Sequence, residues 1–164
     1  MHAWILLVAL LGPEALAWSP SGDAPASAED PFSWEVPPAI VAAGAPARVP
    51  LHLHIPPEHF VYTDVLEVEV LEAGPFEVQG VELPEGRVGV DPATGAGQRP
   101  QVDEDTTIWV VLEAPEDLRG GVPVTVRTRH QGCRTGLCYA PSDKTHSLLL
   151  AVRAPEDVPD QETR

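Results

Sequence analysis

The chain has few chemically reactive residues. Among its 164 residues are two cysteines and ten Lys or Arg, against 25 Asp or Glu, for a formal charge of −15. A chain this acidic will not bind nucleic acid or anionic lipid non-specifically, and its charge suits a basic face on a partner. No G-x-S-x-G is present, and Asp103, Glu104 and Asp105 read as a solvated turn, so a hydrolase has no support. Two thiolates fall short of the four ligands of a structural zinc site. His52 and His54 alternate on one strand face, and His59, His130 and His146 would join them only if the fold gathered them. Solvated histidines are the ordinary reading, and neither a metal nor a cofactor is expected. No window of a dozen residues carries a 3.6-residue apolar period, so helices are not expected.

The first residues bear on compartment. Ile5 to Leu11 is an unbroken apolar run, followed by Gly12-Pro13 and a small-x-small Ala15-Leu16-Ala17. That pattern predicts a secretory signal peptide over residues 1–17, although Met1 to Trp4 carries no Lys or Arg. The run is too short to span a bilayer, which takes about 20 apolar residues. No cysteine follows Ala17 directly and no second hydrophobic span appears, so neither a lipid anchor nor stable membrane insertion is expected after cleavage. Removing the peptide deletes one acid, Glu14, leaving −14. The mature protein is expected in an exported, oxidising space, where disulfides persist.

Residues 18–31 are rich in Pro, Ala, Ser and acids and read as a disordered leader, and residues 154–164 as an acidic flexible tail. The domain is expected over 32–153, a length sufficient for one core. Within it the apolar residues alternate: Val49-Leu51-Leu53-Ile55, then Val65 to Leu71, Phe76-Val78, Val81-Leu83, Thr106 to Leu112, Val122 to Arg129 and Thr145 to Arg153. Gly44, Pro56-Pro57, Gly74-Pro75, Pro84-Glu85-Gly86 and Gly120-Gly121 punctuate them. Short strands at this spacing predict an all-β fold, an antiparallel β-sandwich of immunoglobulin type. A small barrel with the same strand content is the competing architecture. Val88 to Val102, rich in Gly and Pro, is expected to be the longest loop.

The remaining chemistry sits in His130-Gln-Gly-Cys-Arg-Thr-Gly-Leu-Cys-Tyr-Ala-Pro141, where four residues separate Cys133 from Cys138. The segment lies between two predicted strands, and Gly132 and Gly136 permit the tight backbone that a small disulfide ring needs. A ring this short constrains the unfolded chain little, by less than ~3 kcal/mol. It is a poor staple, and a turn-borne disulfide is readily reduced. The residues alone leave both a redox-active pair and a structural bridge open. Arg134 could stabilise a thiolate if it faced the pair, and its ordinary reading is a solvated loop arginine. His130 and His146 could assist proton transfer, and their ordinary reading is as strand-end residues.

Gln131-Gly132-Cys133, Gly136-Leu137-Cys138-Tyr139, Pro141 and Lys144-Thr145 together resemble the signature of the N-terminal periplasmic domain of the thiol:disulfide interchange protein DsbD. Glu58-His59-Phe60-Val61-Tyr62 resembles the aromatic stretch beside that family's cysteines. The resemblance covers most of 32–153 and is strongest at the cysteine loop. It implies an immunoglobulin-like, periplasmic electron shuttle with a redox-active centre. Cys138 would form the mixed disulfides and Cys133 would resolve them, as in a protein-disulfide reductase. Phe60, Tyr62 and Tyr139 would shield the pair. The implied donor is thioredoxin-like, expected here as a separate chain because this one stops at Arg164. The implied acceptors are disulfide-containing periplasmic proteins such as disulfide isomerases and cytochrome c maturation factors. The family's pattern has five residues between its cysteines and a cap loop bearing a phenylalanine. Here there are four, and Val88 to Val102 has no aromatic residue, although Asp91 could match an acid of the cap. The alternative is a non-enzymatic, exported binding or accessory module whose disulfide is structural.

Overall fold

The computed structural model describes residues 29–158. The expected signal peptide, most of the leader and the last residues of the tail therefore lie outside the described residues. Thirteen strands account for most of the rest: β1 Ser33–Glu35, β2 Ala39–Ala42, β3 Pro46–His54, β4 His59–Tyr62, β5 Glu67–Glu72, β6 Glu77–Glu82 and β7 Arg87–Val90, followed by β8 Gln98–Val102, β9 Thr106–Glu113, β10 Gly120–His130, β11 Gly132–Arg134, β12 Leu137–Cys138 and β13 Ser142–Arg153. Two 3-10 turns, Thr63–Val65 and Pro155–Asp157, are the only helical pieces among the described residues.

Two four-stranded sheets, ordered β1-β3-β9-β6 and β2-β13-β10-β5, face each other. All pairings within them are antiparallel except β2 against β13. The opening strands are divided between the sheets, and the order of the remainder is the immunoglobulin Greek key. The chain is an all-β, immunoglobulin-like sandwich. Alternation decides which face is inside. Val49, Leu51 and Leu53 on β3 and Ile108, Val110 and Leu112 on β9 are buried, as are Val124 and Val126 on β10 and Leu148, Leu150 and Val152 on β13. Outward positions of β5 and β10 carry charge instead, with Arg127 paired to Glu69, and Arg129 to Asp143 at 3.1 Å and to Glu67 at 3.8 Å. Such exposed pairs contribute little each. The sandwich is held by its apolar rows.

A third sheet, β12-β11-β4-β8-β7, is assembled from three connections of the sandwich. β4 lies between β3 and β5, the β7–β8 hairpin between β6 and β9, and β11–β12 between β10 and β13. These connections leave the same end of the sandwich, which is why they can pair. Here the structure corrects the loop expected over Val88 to Val102: only residues 91–97 are irregular, and the flanks pair as β7 and β8. Gly89 and Pro100 read as breakers, yet Gly89 lies on the edge strand β7, and Pro100 faces Val88 just outside Gln101 and Val102, the two residues of β8 that pair with β4.

Candidate redox site

The long β10–β13 ladder brings His130 opposite Ser142, and the residues between them leave the sandwich as a small hairpin. Cys133 pairs directly with Cys138, and Arg134 with Leu137. Thr135-Gly136 makes the turn, and Gly136 has φ 74°, a value that a side chain would resist. Tyr139 N–H donates to the Gly132 carbonyl at 2.9 Å, so the cysteines form the next, non-hydrogen-bonded pair, with Cα atoms 4.0 Å apart. They are joined as a disulfide.

The two halves of this bridge differ in surroundings. Cys133 is 0% exposed and pairs on its other side with Phe60 of β4. Cys138 lies on the outermost strand of the sheet and is exposed. Strand alternation puts Phe60, Tyr62 and Cys133 on one face, where they form a buried cluster, and the two rings meet edge-on at 5.2 Å. Val65 and Ala93 pack against the same cluster. Ala93 belongs to the irregular loop 91–97, so a methyl group covers this face in a segment without aromatics.

Asp91 holds that loop. Its carboxylate accepts from the Tyr62 hydroxyl, from the Ala93 N–H at 2.9 Å and from the Thr94 hydroxyl at 3.0 Å. The Tyr62 bond, helped by the Ala93 and Thr94 donors and opposed by burial, keeps the Asp91 carboxyl below its ordinary value. Burial and the neighbouring Asp91 push the Tyr62 phenol up to about 12. Arg99 stacks on the Tyr62 ring, its guanidinium carbon 3.6 Å from the centroid, and grips Asp64 with contacts of 2.7 and 3.2 Å. Asp91 thus organises the loop 91–97, with Tyr62 as its anchor.

The opposite face of the sheet holds Phe32, His59 and Tyr139. Tyr139 joins the cluster of Phe32, Val61 and Leu66, and its hydroxyl lies 2.9 Å from His59 Nε2. His59 Nδ1 lies 2.8 Å from the Pro57 carbonyl, which can only accept, so Nδ1 carries the proton and Nε2 accepts from Tyr139. The structure therefore brings Phe60 and Tyr62 onto Cys133 and sets Tyr139 under the hairpin, on the other side of the sheet. Arg134 is exposed and pairs with His59, on the face away from the sulfurs. It is not placed to stabilise a thiolate.

Sequence reasoning passed over two features. Phe32 ends in the space above Gly132, where an added Cβ would lie 1.9 Å from the Phe32 ring. His130, read as a strand-end residue, is 1% exposed and hydrogen-bonded to Trp34. The signal was available, because His130 continues the inward row of Val124, Val126 and Thr128 with period two. The other histidines stay apart: His52 Nδ1 is 3.0 Å from Thr107 Oγ1, and His54 lies between Asp105 and Glu35. Among the described residues no three His, Cys, Asp or Glu side chains converge on a metal-sized point, and no helix is long and apolar enough to cross a membrane.

Comparison with known proteins bears on the same region. The family model described as thiol:disulfide interchange protein DsbD, N-terminal, matches residues 33–150. No curated protein matches the chain. Among solved structures, the Neisseria meningitidis DsbD n-terminal domain in the reduced form is 18% identical, with a TM-score of 0.45 over 64% of this chain and 78% of that one. A complex between the DsbD N-terminal and PilB N-terminal domains from the same organism is 18% identical, with a TM-score of 0.49 over 71% of this chain and 80% of that one. A Clostridium thermocellum cohesin–dockerin complex matches at 12% identity and a TM-score of 0.49, over 74% of this chain and 99% of that one.

Proposed function

Because this chain belongs to the family of DsbD N-terminal domains, which are thiol–disulfide exchange modules, we propose that it is an exported, periplasmic electron shuttle working through Cys133 and Cys138. The observation that carries this reading is the unequal exposure of the pair. Cys138 is exposed on an edge strand, while Cys133 is fully buried against Phe60 and Tyr62. An incoming thiolate has a path to one sulfur and not to the other.

In the oxidised protein a donor thiolate attacks Cys138 Sγ. The Cys133–Cys138 bond breaks, its electron pair passes to Cys133 Sγ, and that sulfur takes up a proton in its apolar surroundings. The donor's second thiolate then attacks the donor sulfur of the mixed disulfide and releases Cys138. The donor leaves oxidised, and the pair has gained two electrons and one proton, with Cys133 a thiol and Cys138 a thiolate. In the second half, the Cys138 thiolate attacks an acceptor disulfide and Cys133 resolves the adduct, restoring the bridge. A depression lined by Glu58, Arg134, Thr135, Gly136 and Leu137 lies beside the hairpin turn, where a partner would seat. Glu58 holds φ 65° in the turn that closes with His59 N–H donating to the Pro56 carbonyl at 3.1 Å. That backbone conformation is costly for a side-chain-bearing residue.

The proposed donor is a thioredoxin-like protein on another chain, and the proposed acceptors are periplasmic disulfide proteins, including those of cytochrome c maturation. Both proposals follow from the family. The test is the equilibrium potential of the pair in a dithiothreitol or glutathione series. A value between about −180 and −270 mV, the range of exchange proteins, is expected. A value well below about −300 mV would make the bridge a structural staple in an accessory module. A Cys133→Ala variant, unable to resolve, is expected to trap partners on Cys138 as mixed disulfides.

A further inference from the structure

At the foot of the cysteine hairpin lies a buried titratable group that the exchange steps do not use. His130 closes the inward row of β10, and its two ring nitrogens face in opposite directions. Nδ1 accepts from the Trp34 indole N–H at 3.3 Å, and Nε2 lies 3.4 Å from Asp30 Oδ1. An indole N–H can only donate, so Nδ1 is unprotonated and the ring's proton sits on Nε2, aimed at the carboxylate. The same Asp30 oxygen accepts the Phe32 N–H at 3.1 Å. One imidazole therefore holds residues 30 and 34 of the N-terminal strap, and through Asp30 it fixes residue 32.

The strap carries Phe32. Its ring meets His130 at 5.4 Å, His59 at 5.7 Å and Tyr139 at 5.9 Å, each edge-on, and fills the space left by the absent Gly132 side chain. Gly132 and Tyr139 are the residues immediately outside the two cysteines and are bonded to each other. The disulfide hairpin thus rests on a floor whose position depends on His130.

Resting on the exchange reading above, we propose that His130 is a positioning residue that makes access to the cysteine pair acid-sensitive. A proton on Nδ1 would confront the Trp34 N–H with a second donor. That bond breaks, the strap over residues 30–34 loosens, and Phe32 withdraws from beneath Gly132 and Tyr139. The other groups around the clamp are Lys144, 3.5 Å from Asp30 Oδ2, Ser142 across the ladder, His146 tilted against Trp34 at 6.1 Å, and His59 beyond Phe32. Burial keeps His130 neutral below its ordinary range, Asp30 opposes this, and Lys144 adds to it. The unfolded chain takes up this proton first, so stability is lost as pH falls below about 6.5.

The test is the rate at which a water-soluble phosphine reduces the disulfide between about pH 5 and about pH 8, in the native chain and in His130→Gln. Glutamine can accept from Trp34 and donate to Asp30 but cannot be protonated there. Dividing the two rates cancels the phosphine's own titration. The ratio is expected to be flat above neutrality and to rise several-fold on the acid side along a one-proton curve. A ratio flat throughout overturns the proposal. Should His130→Gln fail to fold, Trp34→Phe takes its place. With no indole N–H to confront, its acid-side rise is expected to shrink, and an undiminished rise overturns the proposal equally. The readout needs no partner protein. A failure here leaves the potential measurement intact, and a potential in the staple range leaves this ratio readable.

Discussion

The sandwich and the small sheet at its end solve the packing problem differently. In the sandwich, rows of Val and Leu from β3, β9, β10 and β13 interlock in one core, and many of these residues are at or below 1% exposure. In the five-stranded sheet, one face of the site is closed by Phe60, Tyr62 and Cys133 with the half-buried Val65 and Ala93. The other face packs Phe32 and Tyr139 with Leu53, Ile55, Val61, Leu66 and Ile108 and adds bonds made by His130 and His59. Apolar burial contributes roughly in proportion to area, wherever it occurs. The small sheet closes over smaller clusters than the sandwich and supplements them with single polar contacts. Stability is therefore concentrated in the sandwich and reactivity in the sheet, and substitutions should separate the two.

The largest effect is expected for Leu51→Ala, at a position that is 0% exposed in the sandwich core. It should cost about 2–5 kcal/mol by transfer and cavity effects, read from urea denaturation. The potential of the cysteine pair should not move in the protein that remains folded. A shifted potential would show that the two regions are coupled through the core. Gly132→Ala should cost less, about 1–3 kcal/mol, because the new methyl forces Phe32 aside. Its signature is a faster phosphine reduction of the disulfide. Lost stability with an unchanged reduction rate would mean that the floor does not govern access. The smallest effect on stability is expected for Tyr62→Phe, which keeps the ring and removes one bond to Asp91. Backbone amide exchange at Ala93 and Gly95 should quicken while β3 and β9 stay protected. Equal protection at the loop would remove Asp91 and Tyr62 from the control of residues 91–97.

The expected strands over Val49 to Ile55, Thr106 to Leu112 and Val122 to Arg129 recur as β3, β9 and β10 because alternation acts on long, half-buried strands, where a slip of one residue would bury the wrong face. Phe76-Val78 and Val81-Leu83, read as separate pieces, form the single strand β6 with a register shift between Val78 and Gly80. The short strands β1, β2, β7 and β8 were not legible. β1, β2 and β8 exist because long-range partners supply their hydrogen bonds, β7 pairs with β8 in a local hairpin, and their own three to five residues contain no period.

Alternation and local chemistry, both carried by neighbouring residues, were enough to indicate an all-β sandwich and a cysteine pair in a tight hairpin, and the family was suggested only by the resemblance of the residues around Cys133 and Cys138 to its signature. The unequal exposure of Cys133 and Cys138, the separation of Tyr139 from Phe60 and Tyr62 by the thickness of a sheet, and the enclosure of His130 between Asp30 and Trp34 came only from the tertiary structure. The Trp34–His130 contact spans 96 positions of sequence and the Asp30–His130 contact spans 100. Contacts at that distance are fixed by how the sheets close, which no local pattern encodes.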